Sequence, residues 1–150
     1  MLKKCRSITF ETVKFLFIMT MKTIKQKVKF NASADTLYNL LMHEKEHAAF
    51  TGAAAKISTR INGKFSAWDD YISGKNIVLE KGKKIVQEWW CADLPEDHFT
   101  TVTFTFSKLD NKTTQLDFTQ TNVPPDQYDA LSKGWKEYYW DPMKQYLGEL

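Results

Sequence analysis

The stretch Gly134-Trp135-Lys136-Glu137-Tyr138-Tyr139-Trp140-Asp141-Pro142 constrains the fold of this chain more than any other. It lies in a segment from about Asp126 to Leu147 that also holds Tyr128 and Tyr146, so more than half of the chain's five Trp and six Tyr fall there. At about 100° per residue, Tyr128, Leu131, Trp135, Tyr138, Tyr139, Pro142 and Tyr146 form one broad stripe, and Lys133, Lys136, Glu137, Asp141 and Lys144 fall elsewhere. A lone helix cannot hide such a face, so an earlier part of the chain has to cover it. Trp140 projects off the stripe. Pro142 lacks the N–H that would bond the Tyr138 carbonyl, and its ring crowds that turn, which predicts a kink or break. The change of direction either brings Trp140 against another part of the protein or leaves it exposed.

The cover is legible upstream. Ile24, Gln26, Val28 and Phe30 alternate with Lys25, Lys27 and Lys29, the pattern of a strand with one buried face. Ser33 caps a helix whose apolar stripe is Leu37, Tyr38, Leu40 and Leu41. A second short helix is predicted from His43 to Phe50, ended by Thr51-Gly52. From Ala53 onward the period is two. Strands are predicted near 55–60, 64–69, 71–80, 83–91, 100–109 and 113–121, separated by Asn62-Gly63, Asp69-Asp70, Lys81-Gly82, Leu94-Pro95-Glu96-Asp97 and Asp110-Asn111. Such short connections allow no helical crossover, so the sheet is expected to be an antiparallel meander. Val123-Pro124-Pro125 closes it, and Asp126 is placed to cap the aromatic helix. A curved sheet that needs a cover and a helix that needs a floor give a two-layer α+β domain.

Length and charge narrow the function. The chain's 150 residues suit one domain with a real core. A net charge of +3, from 21 basic and 18 acidic residues interspersed, is too balanced for a nucleic-acid binder. Two cysteines, Cys5 and Cys91, build no disulfide framework and fit a reducing, cytoplasmic setting. Residues 1–20 read differently from the rest. Lys3, Lys4 and Arg6 precede an apolar run around Phe15 to Ile18, but Glu11 and Lys14 interrupt it and no small-residue cleavage site follows. The run is too short to span a bilayer, so no stable membrane insertion is expected. A weak export or membrane anchor, a disordered tail, and residues upstream of the true start are the three readings of this extension. The domain proper is assigned to residues 21–150.

One motif suggests chemistry. His43-Glu44-Lys45-Glu46-His47 fits the His-Glu-x-x-His zinc-hydrolase pattern, which needs two histidines on one helical face and a glutamate to activate metal-bound water. Its two middle residues are charged, as on a solvated helix, and no third ligand has a recognisable context. An ordinary charged surface is the preferred reading, and no metal, cofactor or catalytic residue is assigned. Asp69-Asp70 and Glu96-Asp97 are turn formers, and Cys91, after Trp89-Trp90, is a core residue rather than a nucleophile.

The predicted interior combines Phe104, Phe118, Ile85, Gln87 and Trp89 from the sheet with Trp135, Tyr138 and Tyr139 from the helix. Large aromatics against a concave sheet either fill a core or line a pocket. Gln87 and Gln120 share faces with apolar residues and have to find partners in the protein, water or a ligand.

In order along the chain, Ile24 to Phe30 with Ala32-Ser33-Ala34 and Leu37-Tyr38, His47 to Gly52, Asn62-Gly63-Lys64-Phe65, Ile72-Ser73-Gly74, Lys84-Ile85-Val86-Gln87 with Trp89, Gln120-Thr121 with Val123-Pro124, and Gly134 to Pro142 resemble bacterial single-domain relatives of the activator of heat shock protein 90 ATPase. That family belongs to the START-like, or Bet v 1-like, SRPBCC superfamily. The resemblance implies a helix-grip fold: a curved antiparallel sheet wrapped around a long C-terminal helix, with short helices after the first strand. It implies no zinc role for His43 and His47. It also implies a non-catalytic protein with a cavity for a small hydrophobic ligand, lined by Trp68, Gln87, Trp89, Phe104, Phe118, Gln120, Trp135, Tyr138 and Tyr139. The alternative it carries is a co-chaperone-type module that binds a chaperone or other protein partner. Asp70 and Asn122 stand where relatives often carry glycine, and both residue types tolerate the left-handed backbone region. Leu94 stands where an aromatic is common.

Overall fold

A computed structural model of the chain describes residues 21–149. The extension over residues 1–20 lies outside the described residues.

Seven strands form one antiparallel sheet. They are β1 (Lys22–Phe30), β2 (Lys56–Ile57), β3 (Lys64–Ala67), β4 (Ile72–Glu80), β5 (Lys84–Cys91), β6 (Thr100–Asp110) and β7 (Thr113–Val123). Their order is β1-β7-β6-β5-β4-β3-β2, so the first strand pairs with the last and the others meander. Alternation decides which side faces inward: Ile24 and Phe30 are buried while Lys25, Lys27 and Lys29 are exposed.

Register aligns the inner residues into rows across the sheet. One row runs Gln26, Phe118, Phe104, Ile85, Leu79 and is aromatic at its centre. The next runs Ile24, Gln120, Val102, Gln87, Asn76 and carries three buried amides. Gly74 opposes Trp89 in the pairing of β4 with β5. A Cβ at Gly74 would lie 1.9 Å from the Glu88 carbonyl oxygen and 2.8 Å from Phe65 Cζ, so only glycine fits there.

Between β1 and β2 come α1 (Ala34–Met42) and α2 (Glu44–Thr51). Ser33 caps α1 by accepting the Thr36 N–H at 3.1 Å. His43 has extended backbone and separates the two helices, and Gly52 at φ 74° ends α2. Asp70 at φ 70° and Asn122 at φ 63° take left-handed backbone, which both residue types tolerate. Trp68 and Asp69 precede Asp70 at φ 52° and 54°, so the β3–β4 turn holds three successive left-handed residues.

The C-terminal segment is helical but not of constant pitch. The chain enters through a 3-10 turn at Pro125–Gln127, then α3 (Tyr128–Trp135), a π turn (Lys136–Trp140) and α4 (Asp141–Tyr146). Asp126 is therefore not the cap expected of it; it lies within the 3-10 turn, and no side chain caps α3. The constant-pitch stripe holds through Trp135 and Tyr139 and fails around them. Tyr138 and Tyr146 are half exposed, whereas Trp140 and Met143 are buried. The π turn is the cause. The Asp141 N–H bonds the Lys136 carbonyl five residues back, and the wider turn carries one extra residue. It rotates everything after it, so Tyr139, Trp140 and Met143 continue the buried face that Trp135 begins. Pro142, which has no N–H to give, falls in the first turn of α4, where none is needed.

Candidate functional site

The helix grips the sheet through its rings. Trp135 packs on Phe118 at 4.4 Å between centroids, on Tyr139 at 4.7 Å and on Trp89 at 5.5 Å. Trp140 meets Phe118 at 5.4 Å and stacks with Trp135 at 5.6 Å. Aromatic pairs at these separations favour tilted and edge-on geometry, which most of them show.

The buried amides are satisfied within the protein. Gln120 Nε2 donates to Thr100 Oγ1 at 2.9 Å, and its Oε1 accepts the Trp135 indole N–H at 2.8 Å. Gln87 Nε2 donates to Asn76 Oδ1 at 3.0 Å, and Asn76 Nδ2 reaches the Ser58 and Arg60 carbonyls. Trp140 donates to Gln26 Oε1 at 2.7 Å, while Gln26 Nε2 donates to the Ser132 carbonyl at 2.9 Å. The Gln120 and Gln26 bonds sew the helix to the sheet, and those of Asn76 tie β5 and β4 to the segment after β2.

On the β3–β5 side of this grip the packing stops short and leaves a cleft of about 570 Å³. Trp68, Tyr71, Ile72, Trp89 and Asp93 form its sheet wall, and Leu131, Lys133, Trp135, Glu137, Tyr138 and Tyr139 stand on the helix wall with Gln127, Ala130 and Gly134. Five of the nine residues expected to line a cavity do so: Trp68, Trp89, Trp135, Tyr138 and Tyr139. Gln87 and Phe104 instead border a separate internal void of about 20 Å³, room for a single water. Phe118 and Gln120 are buried in the core and line neither space. Leu94 is also buried and off the cleft.

Sequence reasoning missed Tyr71 and Asp93. Asp93 lies outside the predicted strands, and Tyr71, read as the first residue of the 71–80 strand, falls instead in the turn before β4. The Tyr71 hydroxyl donates to the Asp93 carboxylate. Burial, reinforced by that bond, raises the Tyr71 pKa far above the ordinary phenol range, so the hydroxyl stays a donor.

Tyr139 borders both the cleft and the void, and His47 borders the void. His47 is buried, and its Nε2 lies 3.2 Å from the Tyr139 hydroxyl while its Nδ1 has no partner. Burial lowers the His47 pKa to about 4, so the ring is neutral at pH 7. Burial raises the Tyr139 pKa, and the nearby Trp68 indole N–H offsets part of that rise, although it makes no hydrogen bond of standard geometry.

The zinc-hydrolase reading fails on the same residues. His43 sits outside the helix on extended backbone and is exposed, while His47 points into the core. The Glu44 carboxylate accepts the Ile57 N–H at 2.8 Å. Among the described residues no three His, Cys, Asp or Glu side chains come together to hold a metal. Cys91 is a buried thiol whose pKa is raised by burial, as suits a core residue. No helix among the described residues is long and apolar enough to cross a membrane.

Comparison with known proteins agrees with the geometry. The family model described as "Activator of Hsp90 ATPase homolog 1-like protein" matches residues 31–148. The chain is 33% identical over 125 residues to the "Activator of 90 kDa heat shock protein ATPase homolog 1" of Homo sapiens, covering 83% of this chain and 37% of that protein. It is 32% identical over 125 residues to the "Activator of 90 kDa heat shock protein ATPase homolog" of Dictyostelium discoideum, covering 83% and 33%. The chain thus spans about a third of the length of the curated relatives it matches. Among solved structures, an HSP90 activator from Plasmodium falciparum superposes with a TM-score of 0.80 at 22% identity, over 84% of this chain and 96% of that one. The Aha1 dimer from Colwellia psychrerythraea does so with a TM-score of 0.71 at 16% identity, over 83% and 94%. These two establish the shared helix-grip fold.

Proposed function

Because this chain belongs to the activator of Hsp90 ATPase homolog 1-like family, we propose that it is a non-catalytic module that binds the Hsp90-class chaperone of its host. The observation that carries this reading is the identity of 33% to the human activator, spread over 125 residues and so over nearly the whole domain. Two groups of the zinc-hydrolase pattern are otherwise engaged: Glu44 holds a backbone N–H, and His47 is a neutral core side chain. A reducing, cytoplasmic setting goes with this reading. The test is titration of the purified chain into the host's chaperone, followed calorimetrically and by steady-state ATP hydrolysis. Saturable binding is the expected result, with any stimulation of hydrolysis depending on it. Absence of binding at tens of micromolar would sink the proposal.

A second reading is favoured by the cleft itself. Its volume of about 570 Å³ lies in the range of small-molecule sites, and six of its fourteen lining residues are aromatic. We infer a small apolar ligand seated in this cleft against Trp89 and Trp135. Chemical-shift changes confined to the indole N–H groups of Trp68, Trp89 and Trp135 on ligand addition are the expected signature.

A further inference from the structure

The cleft is aromatic, but it is not neutral. Two carboxylates stand on it from different walls, Asp93 from the loop after β5 and Glu137 from the π turn. Among the described residues Lys133 is the single cationic side chain of the lining. The next lysine along the helix, Lys136 at the start of the π turn, is engaged with Asp141 at 2.9 Å. Tyr71 fixes one of the carboxylates by donating its hydroxyl to Asp93.

The rings add to this bias. Trp68 and Tyr138 meet edge to face at 5.5 Å, and Trp89 packs on Trp135 at the same distance. The face of an aromatic ring carries negative charge and attracts a desolvated cation. An anion in the same place would meet two carboxylates and the ring quadrupoles, and only Lys133 would oppose them. A neutral apolar molecule would gain burial alone.

We propose that the cleft selects an organic ammonium ion carrying an apolar body. The proposal rests on the second reading above, that the cleft holds a small ligand, and adds the charge of that ligand. The ammonium group would lie at the rim near Asp93 and Glu137, with its apolar part against Trp89 and Trp135.

A matched trio tests it at pH 7: 4-phenylbutylamine, 4-phenylbutan-1-ol and 4-phenylbutanoate. Binding is followed by titration of the full chain, with the Trp68 and Trp89 indole N–H signals as reporters. The amine is expected to bind about tenfold tighter than the alcohol, and the carboxylate weakest. The Asp93→Asn/Glu137→Gln variant, which changes two exposed side chains, is expected to bring the amine down to the alcohol's affinity. Equal binding of amine and alcohol, or a preference for the carboxylate, overturns the ammonium inference and leaves the ligand reading standing. A preference that survives the double substitution also overturns it, because the carboxylates are then not its source. Binding of none of the three at millimolar concentration overturns both.

Discussion

The indole N–H of Trp135 donates to the side-chain carbonyl of Gln120 across 2.8 Å. Gln120 passes the bond on to Thr100 at 2.9 Å, and Thr100 donates to the Trp89 carbonyl at 3.0 Å. One helical residue is thereby tied through three adjacent strands, β7, β6 and β5. Substituting Gln120 by methionine keeps the bulk and strands the Trp135 donor in the core. The expected loss is about 2 kcal/mol in urea unfolding. A loss under about 0.5 kcal/mol would mean that water replaces the amide.

His47 makes stability depend on pH. The unfolded chain takes up this proton near the ordinary histidine pKa of 6.5, and the folded chain only near 4. Between those values the unfolded state holds more protons, so stability falls as pH drops from 6.5 to 4. The size is about 3 kcal/mol. In His47→Leu this step is expected to vanish. Denaturation curves for the two proteins at several pH values give the difference, and parallel pH profiles would contradict it.

The π turn and Pro142 are expected to depend on each other. Deleting Glu137 lets Trp135, Tyr139, Trp140 and Met143 fall at α-helical spacing, so the buried face survives. It also puts Pro142 inside a continuous α-helix, against the Tyr138 carbonyl. That is expected to cost about 3 kcal/mol. Adding Pro142→Ala to the deletion should return most of the loss. If the double variant is no more stable than the deletion alone, the proline is not what the wide turn accommodates.

Asp70 adopts φ 70° in the β3–β4 turn. Asp70→Gly is expected to raise stability by about 0.5–1 kcal/mol, and Asp70→Ala to lower it by about 1 kcal/mol. Thermal melts of the pair, read against the parent, check the opposed signs.

The sheet was legible because its signal is local. A lysine at every second position of β1 leaves only one face to bury. The helix phase was legible as far as Trp135, because projection at a constant pitch holds until the pitch changes. For that reason Trp140 projected off the stripe, and of the two outcomes left open for it the structure shows the buried one. Pro142 marked the irregular place correctly but did not say that the irregularity was an extra residue rather than a bend. Gln87 and Gln120 were recognised as needing partners, but Asn76 and Thr100 can be identified only once strand register is known. The cleft was half legible. Trp89, Trp135, Tyr138 and Tyr139 belong to strand and helix and Trp68 directly follows β3, whereas Tyr71 and Asp93 come from turns where the alternation breaks.

The pairing of β1 with β7 has a consequence for how this chain is made. Thr114 holds the Ala32 carbonyl across 82 residues of sequence, and Trp140 reaches Gln26 across 114. On a ribosome the first strand emerges long before either partner exists. Until β7 and the last helix follow, Ile24, Val28 and Phe30 form an apolar ribbon on an open strand edge. Closing so long a loop is slow relative to local hairpins, so β2 to β6 can form their meander first. The lysines on alternate positions of β1 then serve the nascent chain as well as the finished one, because like charges on neighbouring chains oppose edge-to-edge association during synthesis.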